Sequence, residues 1–228
     1  MKITEICDIL RQELYQNDYQ YGFYYDGRKY IPDFSNGFDA EFFNLQKTIY
    51  RIQNPRDTMK EKIGTCIDAV MVMKSILDEI NVQSKIWLLY HTAKRTPHTI
   101  LTFEAEEKLV YLELTPQSNK PWYGKEIIYN DERDLIKEFR GKDFVIIEVT
   151  EKIIIGDHSD ALLRCLPPQH QYMWYTFAYF CPRSAPFGYS LAGQKSLLSL
   201  QTKEIYCYSL YDIGMCYNNI CFLQQIRF

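Results

Sequence analysis

The sequence predicts an α+β fold, in which a helix bearing Cys66 packs on an antiparallel sheet bearing His98 and Glu113. Three observations predict it. The segment from Thr65 to Val82 opens on a helix start signal and repeats apolar residues every three or four positions. Two later segments, His98 to Glu104 and Lys108 to Thr115, alternate between faces and are separated only by a short polar stretch, as an antiparallel hairpin requires. An apolar fraction of 46% over 228 residues is ample for the core of one medium domain.

The elements follow in order. Residues 3–15 place Ile3, Ile6, Ile9, Leu10 and Leu14 at helical spacing. An aromatic run from Tyr19 to Tyr30 contains Asp26-Gly27, a favoured hairpin turn, and predicts a small β-ribbon on the domain surface or, alternatively, the wall of an aromatic substrate cleft. A helix is expected from Ala40 to Ile52, ended by Asn54-Pro55, because the residue before proline avoids the helical region. In the helix from Thr65 to Val82, Thr65 is the N-cap and Asp68 the third helical residue. Ala69, Met73, Ile76, Leu77 and Ile80 mark its buried face, which Cys66 shares, whereas Asp68, Lys74, Asp78 and Glu79 lie off it. Strands are expected at Lys85 to Tyr90, His98 to Glu104 and Lys108 to Thr115. With the turn centred between Ala105 and Glu106, His98 lies directly opposite Glu113, close enough for an imidazole–carboxylate hydrogen bond. A loop one residue longer or shorter would turn Glu113 to the other face. A helix from Asp131 to Phe139 and strands at Phe144–Val149 and Lys152–Ile155 complete the sheet.

Two domains are expected: residues 1–156, and a low-charge annex of residues 157–228 rich in Cys and Tyr. The annex holds 9 of the 55 charged residues and five of the seven cysteines, without helical or alternating period. The near balance of 26 basic and 29 acidic residues provides no field to recruit nucleic acid or an anionic membrane. The first residues carry acids where a signal peptide would be apolar, and no apolar run approaches the ~20 residues of a membrane span. A cytoplasmic chain is therefore expected. An odd cysteine count with no CxxC argues against a disulfide framework and structural zinc. There is no Gly-rich phosphate loop, and neither cofactor nor metal is expected.

The chemistry centres on Cys66. A lone Cys is ordinarily an inert small hydrophobe. At a helix N-terminus, however, unsatisfied N–H groups and the helix dipole favour the thiolate, and an adjacent imidazolium favours it further. His98 can take the thiol proton and return it to a leaving group, and Glu113 can fix the imidazole tautomer and hold the imidazolium. The Cys66 backbone N–H is a ready oxyanion donor. His91 has no facing carboxylate, His158 and His170 fall in the annex, Cys7 reads as a core or surface thiol of the first helix, and Glu104, Glu106 and Glu107 read as a solvated turn.

These residues carry a resemblance. Gly64-Thr65-Cys66-Ile67-Asp68, then His98 on a strand, then Leu112-Glu113-Leu114-Thr115-Pro116 resembles the transglutaminase-like superfamily, over about residues 40–120. Members show a G-x-C-x-D/E helix start, a His on a following strand, and an Asp before a Pro on the next. The resemblance implies a papain-like core with Cys66 as nucleophile, His98 as base and Glu113 as third member. A peptide or protein substrate is implied. There are three departures. The third member is Glu in place of Asp; Thr99 replaces the aromatic residue that commonly follows the His; and no Gln shortly precedes Cys66 as second oxyanion donor, leaving Gln46, Gln53 or Asn54 farther away. The expected function is a thiol-dependent hydrolase or acyltransferase on amide-type bonds. The alternative is a non-catalytic binding module of the same fold.

Overall fold

A computed structural model of the chain describes residues 1–35, 39–116 and 123–171. Its frame is a five-stranded antiparallel sheet between helical layers. Along the chain run α1 (Ile3–Glu13), β1 (Gln20–Tyr21), β2 (Phe23–Tyr25), β3 (Arg28–Tyr30), α2 (Ala40–Ile49), α3 (Pro55–Glu61), β4 (Ile63–Gly64), α4 (Cys66–Glu79), β5 (Ser84–His91), β6 (Thr96–Ala105), β7 (Lys108–Leu112), β8 (Glu126–Tyr129), α5 (Glu132–Arg140) and β9 (Phe144–Glu148). The sheet order is β8-β7-β6-β5-β9, and every neighbouring pair is antiparallel.

Alternation along the strands builds two cores. On one face Ile86, Leu88, Leu101, Phe103, Val110 and Leu112 pack against α1 and α4, joined by Leu162, Leu163 and Leu166. On the other, Trp87, Leu89, Ile100, Leu109 and Tyr111 pack against Leu135 and Phe139 of α5. A third, aromatic cluster of Phe23, Phe42, Phe43 and Tyr50 sits beneath the β2–β3 ribbon. The ribbon turns at Asp26-Gly27 with φ of 47° and 75°, the left-handed pair that a two-residue hairpin demands.

The structure departs from the sequence reading at several elements. Residues 55–61 form α3, with Asn54 accepting from the Arg56 N–H as N-cap and Pro55 in the first turn, where its missing N–H is harmless. Residues 126–129 add the edge strand β8, and residues 152–155 form no strand; a 3₁₀ turn covers Thr150–Lys152. The helix expected to Val82 ends at Glu79, because Asn81 enters the left-handed region at φ 56°. Asp68 is 0% exposed and belongs to the buried side of α4.

The β6–β7 register also differs. The turn is centred between Glu106 and Glu107, and Ala105↔Lys108 through Thr102↔Tyr111 are the paired residues. Continued upstream, this register brings His98 level with Thr115, two residues from the expected partner. A shift of two preserves the face, so His98 and Glu113 remain on one side as diagonal neighbours. Residues 172–228, most of the expected annex, lie outside the described residues. Among the described residues no helix is long and apolar enough to cross a membrane.

Candidate active site

Cys66 is the first residue of α4. Its backbone N–H therefore has no intrahelical carbonyl partner, and its thiol sits at the positive end of the helix. The bend that delivers it is fixed from behind by Asp68. That carboxylate accepts from the Thr65 N–H at 2.8 Å, the Gln53 N–H at 2.9 Å, the Gln53 side-chain amide at 3.1 Å and the Tyr50 hydroxyl at 2.9 Å. Burial pushes the Asp68 pKa up, against the pull of these donors. The Asp68 side chain thus faces the Tyr50–Gln53 side and serves as an anchor for the first turn.

His98 lies on β6, and by alternation shares the face of Ile100; Glu113 follows β7 on the face of Tyr111. His98 Nε2 and Glu113 Oε2 are 2.8 Å apart, and the two residues are only 6% and 5% exposed. Diagonal Cβ atoms in a sheet are about 7–8 Å apart, a gap that a glutamate spans with its extra methylene. Two further donors steady that longer arm. The Tyr111 hydroxyl donates to Oε2 at 2.7 Å and the Thr115 N–H to Oε1 at 2.8 Å. The main chain of Glu113 is held as well, its carbonyl accepting from the Gly124 N–H at 2.9 Å. Arg11 of α1 donates to the Gly124 carbonyl at 2.7 Å and pairs with Glu126.

The Cys66 thiol interacts directly with the His98 ring. With Nε2 engaged by Glu113, Nδ1 is the ring nitrogen left for sulfur. The β6–β7 pairing stops at Thr102↔Tyr111, and upstream of it the Thr99 main chain lies near the thiol and favours its anion. The Thr99 hydroxyl lies close by yet completes no hydrogen bond of normal geometry.

Electrostatics follow from this geometry. Burial would raise the Cys66 pKa, but the hydrogen bond and charge of His98, with Thr99, bring it below the ordinary thiol value. Burial would lower the His98 pKa, but the Glu113 carboxylate and the bonds to Cys66 and Glu113 raise it to about 10. Burial would raise Glu113, yet His98, Tyr111 and Thr115 hold it below the usual carboxylate range. Together these shifts favour a thiolate–imidazolium pair backed by a carboxylate.

The structure therefore brings Cys66, His98 and Glu113 together. The candidate second donors from the sequence are otherwise engaged. Gln53 donates to Ile63 and Asp68 and accepts from Tyr24, Asn54 caps α3, and Gln46 hydrogen-bonds to Tyr21. His91 ends β5 against the Phe144 ring, Cys7 is buried in the main core, and His170 lies near the Tyr90 ring. Tyr111 escaped the sequence reading, although its place two residues before Glu113 on an alternating strand was a usable signal. Comparison with protein-family models and with curated proteins finds no match to this chain.

Proposed function

We propose that this chain is a thiol-dependent enzyme of the transglutaminase-like, papain-like type, acting on amide or related acyl bonds of a peptide or protein. The observation that carries the reading is the line from the half-buried Cys66 thiol through the buried His98 to the buried Glu113. In the proposed reaction the Cys66 thiolate attacks the acyl carbon, and the oxyanion forms beside the Cys66 N–H. The His98 imidazolium gives its proton to the leaving amine as the C–N bond breaks, leaving a thioester. His98, now neutral, takes a proton from water or from an acceptor amine, which attacks the thioester and regenerates the thiolate. Glu113 stays ionised throughout and fixes the ring. Glu at this position, in place of the superfamily's Asp, is accounted for by the diagonal register.

The test is alkylation of Cys66 by iodoacetamide across pH, followed by mass spectrometry of the labelled peptide. Labelling with a midpoint well below that of an ordinary thiol, and lost from this profile in His98→Ala, is the expected result. A Cys66 that labels like a free thiol would instead leave a non-catalytic module of this fold.

A further inference from the structure

An acyl-transfer site with one oxyanion donor is incomplete, and every glutamine or asparagine suggested by the sequence is engaged elsewhere. Within the reading of Cys66 as nucleophile, we infer that the Tyr19 hydroxyl is the second donor.

The argument begins with backbone pairing. β1 runs parallel to β4, the two residues that lead into Thr65 and Cys66. The Gln20 N–H donates to the Lys62 carbonyl at 2.9 Å and the Gly22 N–H to the Gly64 carbonyl at 3.2 Å, so Tyr19 enters beside the approach to the nucleophile. Its side chain lies directly over Gly64. A Cβ at position 64 would land on the Tyr19 hydroxyl and within 2.6 Å of Asp68 Cβ. Glycine is required here because the phenol occupies the side-chain space.

That hydroxyl is buried in a residue 6% exposed, and among the described residues it has no hydrogen-bond partner. Leaving such a group unpaired is destabilising, so its retention asks for a purpose. The nearest strong acceptor, Asp68, is already filled by Tyr50, Gln53 and Thr65. The Tyr19 hydroxyl responds to the charge of Cys66 as well as that of Asp68. A buried donor that is unpaired in the resting protein, over the glycine two residues before the nucleophile, suits an oxyanion hole: its partner exists only while the carbonyl oxygen carries charge. With the Cys66 N–H it would flank the Gly64-Thr65-Cys66 bend.

Tyr19→Phe tests this with two reagents. Acetylation of Cys66 by p-nitrophenyl acetate passes through a tetrahedral oxyanion; alkylation by iodoacetamide does not. With Cys66→Ala as the blank, the Phe variant should acetylate about 10²–10³-fold more slowly. It should alkylate within about twofold of wild type above the thiol titration, and unfold at the same or a higher temperature because an unpaired group has gone. Acetylation within about threefold of wild type overturns the assignment, as does an equal loss in both reactions. Should the Phe variant fail to fold, 3-fluorotyrosine at position 19 retains the donor with greater acidity. An acetylation rate that rises relative to alkylation supports the assignment, and an unmoved ratio overturns it. Wild-type Cys66 that alkylates like a free thiol would instead sink the parent reading, whatever the variant ratio.

Discussion

The Glu113 carboxylate receives three donors: the His98 ring, which the proposed reaction uses, and Tyr111 and Thr115, which fix its position. Glu113→Gln should keep the fold and lower turnover by roughly 10²–10⁴-fold, since an amide can hold the wrong tautomer and cannot balance the imidazolium. Glu113→Asp should also lose most of the rate, because the shorter arm does not span the diagonal; equal turnover in the Asp variant would refute the register argument. The pH dependence has a definite sign. Folding raises the His98 pKa from 6.5 to about 10, so its contribution to stability is complete below pH 6.5 and fades as pH rises toward 10. The lowered Cys66 thiol has the opposite dependence over the upper part of that window, so the measurement belongs in Cys66→Ala, where urea midpoints should fall as pH rises and fall less when Glu113→Gln is added. At this scale the sequence exposed the types and order of the three site residues, because helix start signals and strand alternation are local. It did not reveal Tyr19: an orphan hydroxyl is defined by neighbours from β4 and α4, which no local pattern encodes.

At the scale of elements, α4 was legible because its cap, buried face and thiol fall within one run of sequence. The role of Asp68 was not, since its partners Tyr50 and Gln53 lie on the stretch after α2. Asp68→Ala should strand several donors at once and destabilise by about 3 kcal/mol or more in urea unfolding. A loss below about 1 kcal/mol would mean that the anchor is dispensable. The β6–β7 turn was misplaced by one residue for a physical reason. Its centre is Glu106-Glu107, both at positive φ, 51° and 58°, where Asn-Gly would be the usual signal. Glu106 cannot be exchanged without side effects, because its carboxylate accepts from the Ile3 N–H. Glu107→Gly removes the left-handed penalty alone and should stabilise by about 0.5–1 kcal/mol. No gain in the urea midpoint would contradict the assigned turn conformation.

The described residues form a sheet with α1 and α4 on one face and α5 on the other. That arrangement could be anticipated from alternating strands and amphipathic helices, whereas β8 was hidden in a four-residue edge after two prolines. The proposed triad spans two layers: Cys66 comes from the α4 side, while His98 and Glu113 share the face of Ile100 and Tyr111. Its alignment therefore depends on how the layers seat. Arg11 shows the consequence. This residue of α1 holds Gly124, and Gly124 holds the Glu113 carbonyl. The first helix carries none of Cys66, His98 and Glu113, yet the main chain of Glu113 is tied to it through Gly124. A fragment that starts after Leu14 would retain Cys66, His98 and Glu113 yet lose both the Arg11 tie to Gly124 and the buried Ile3, Ile6, Leu10 and Leu14.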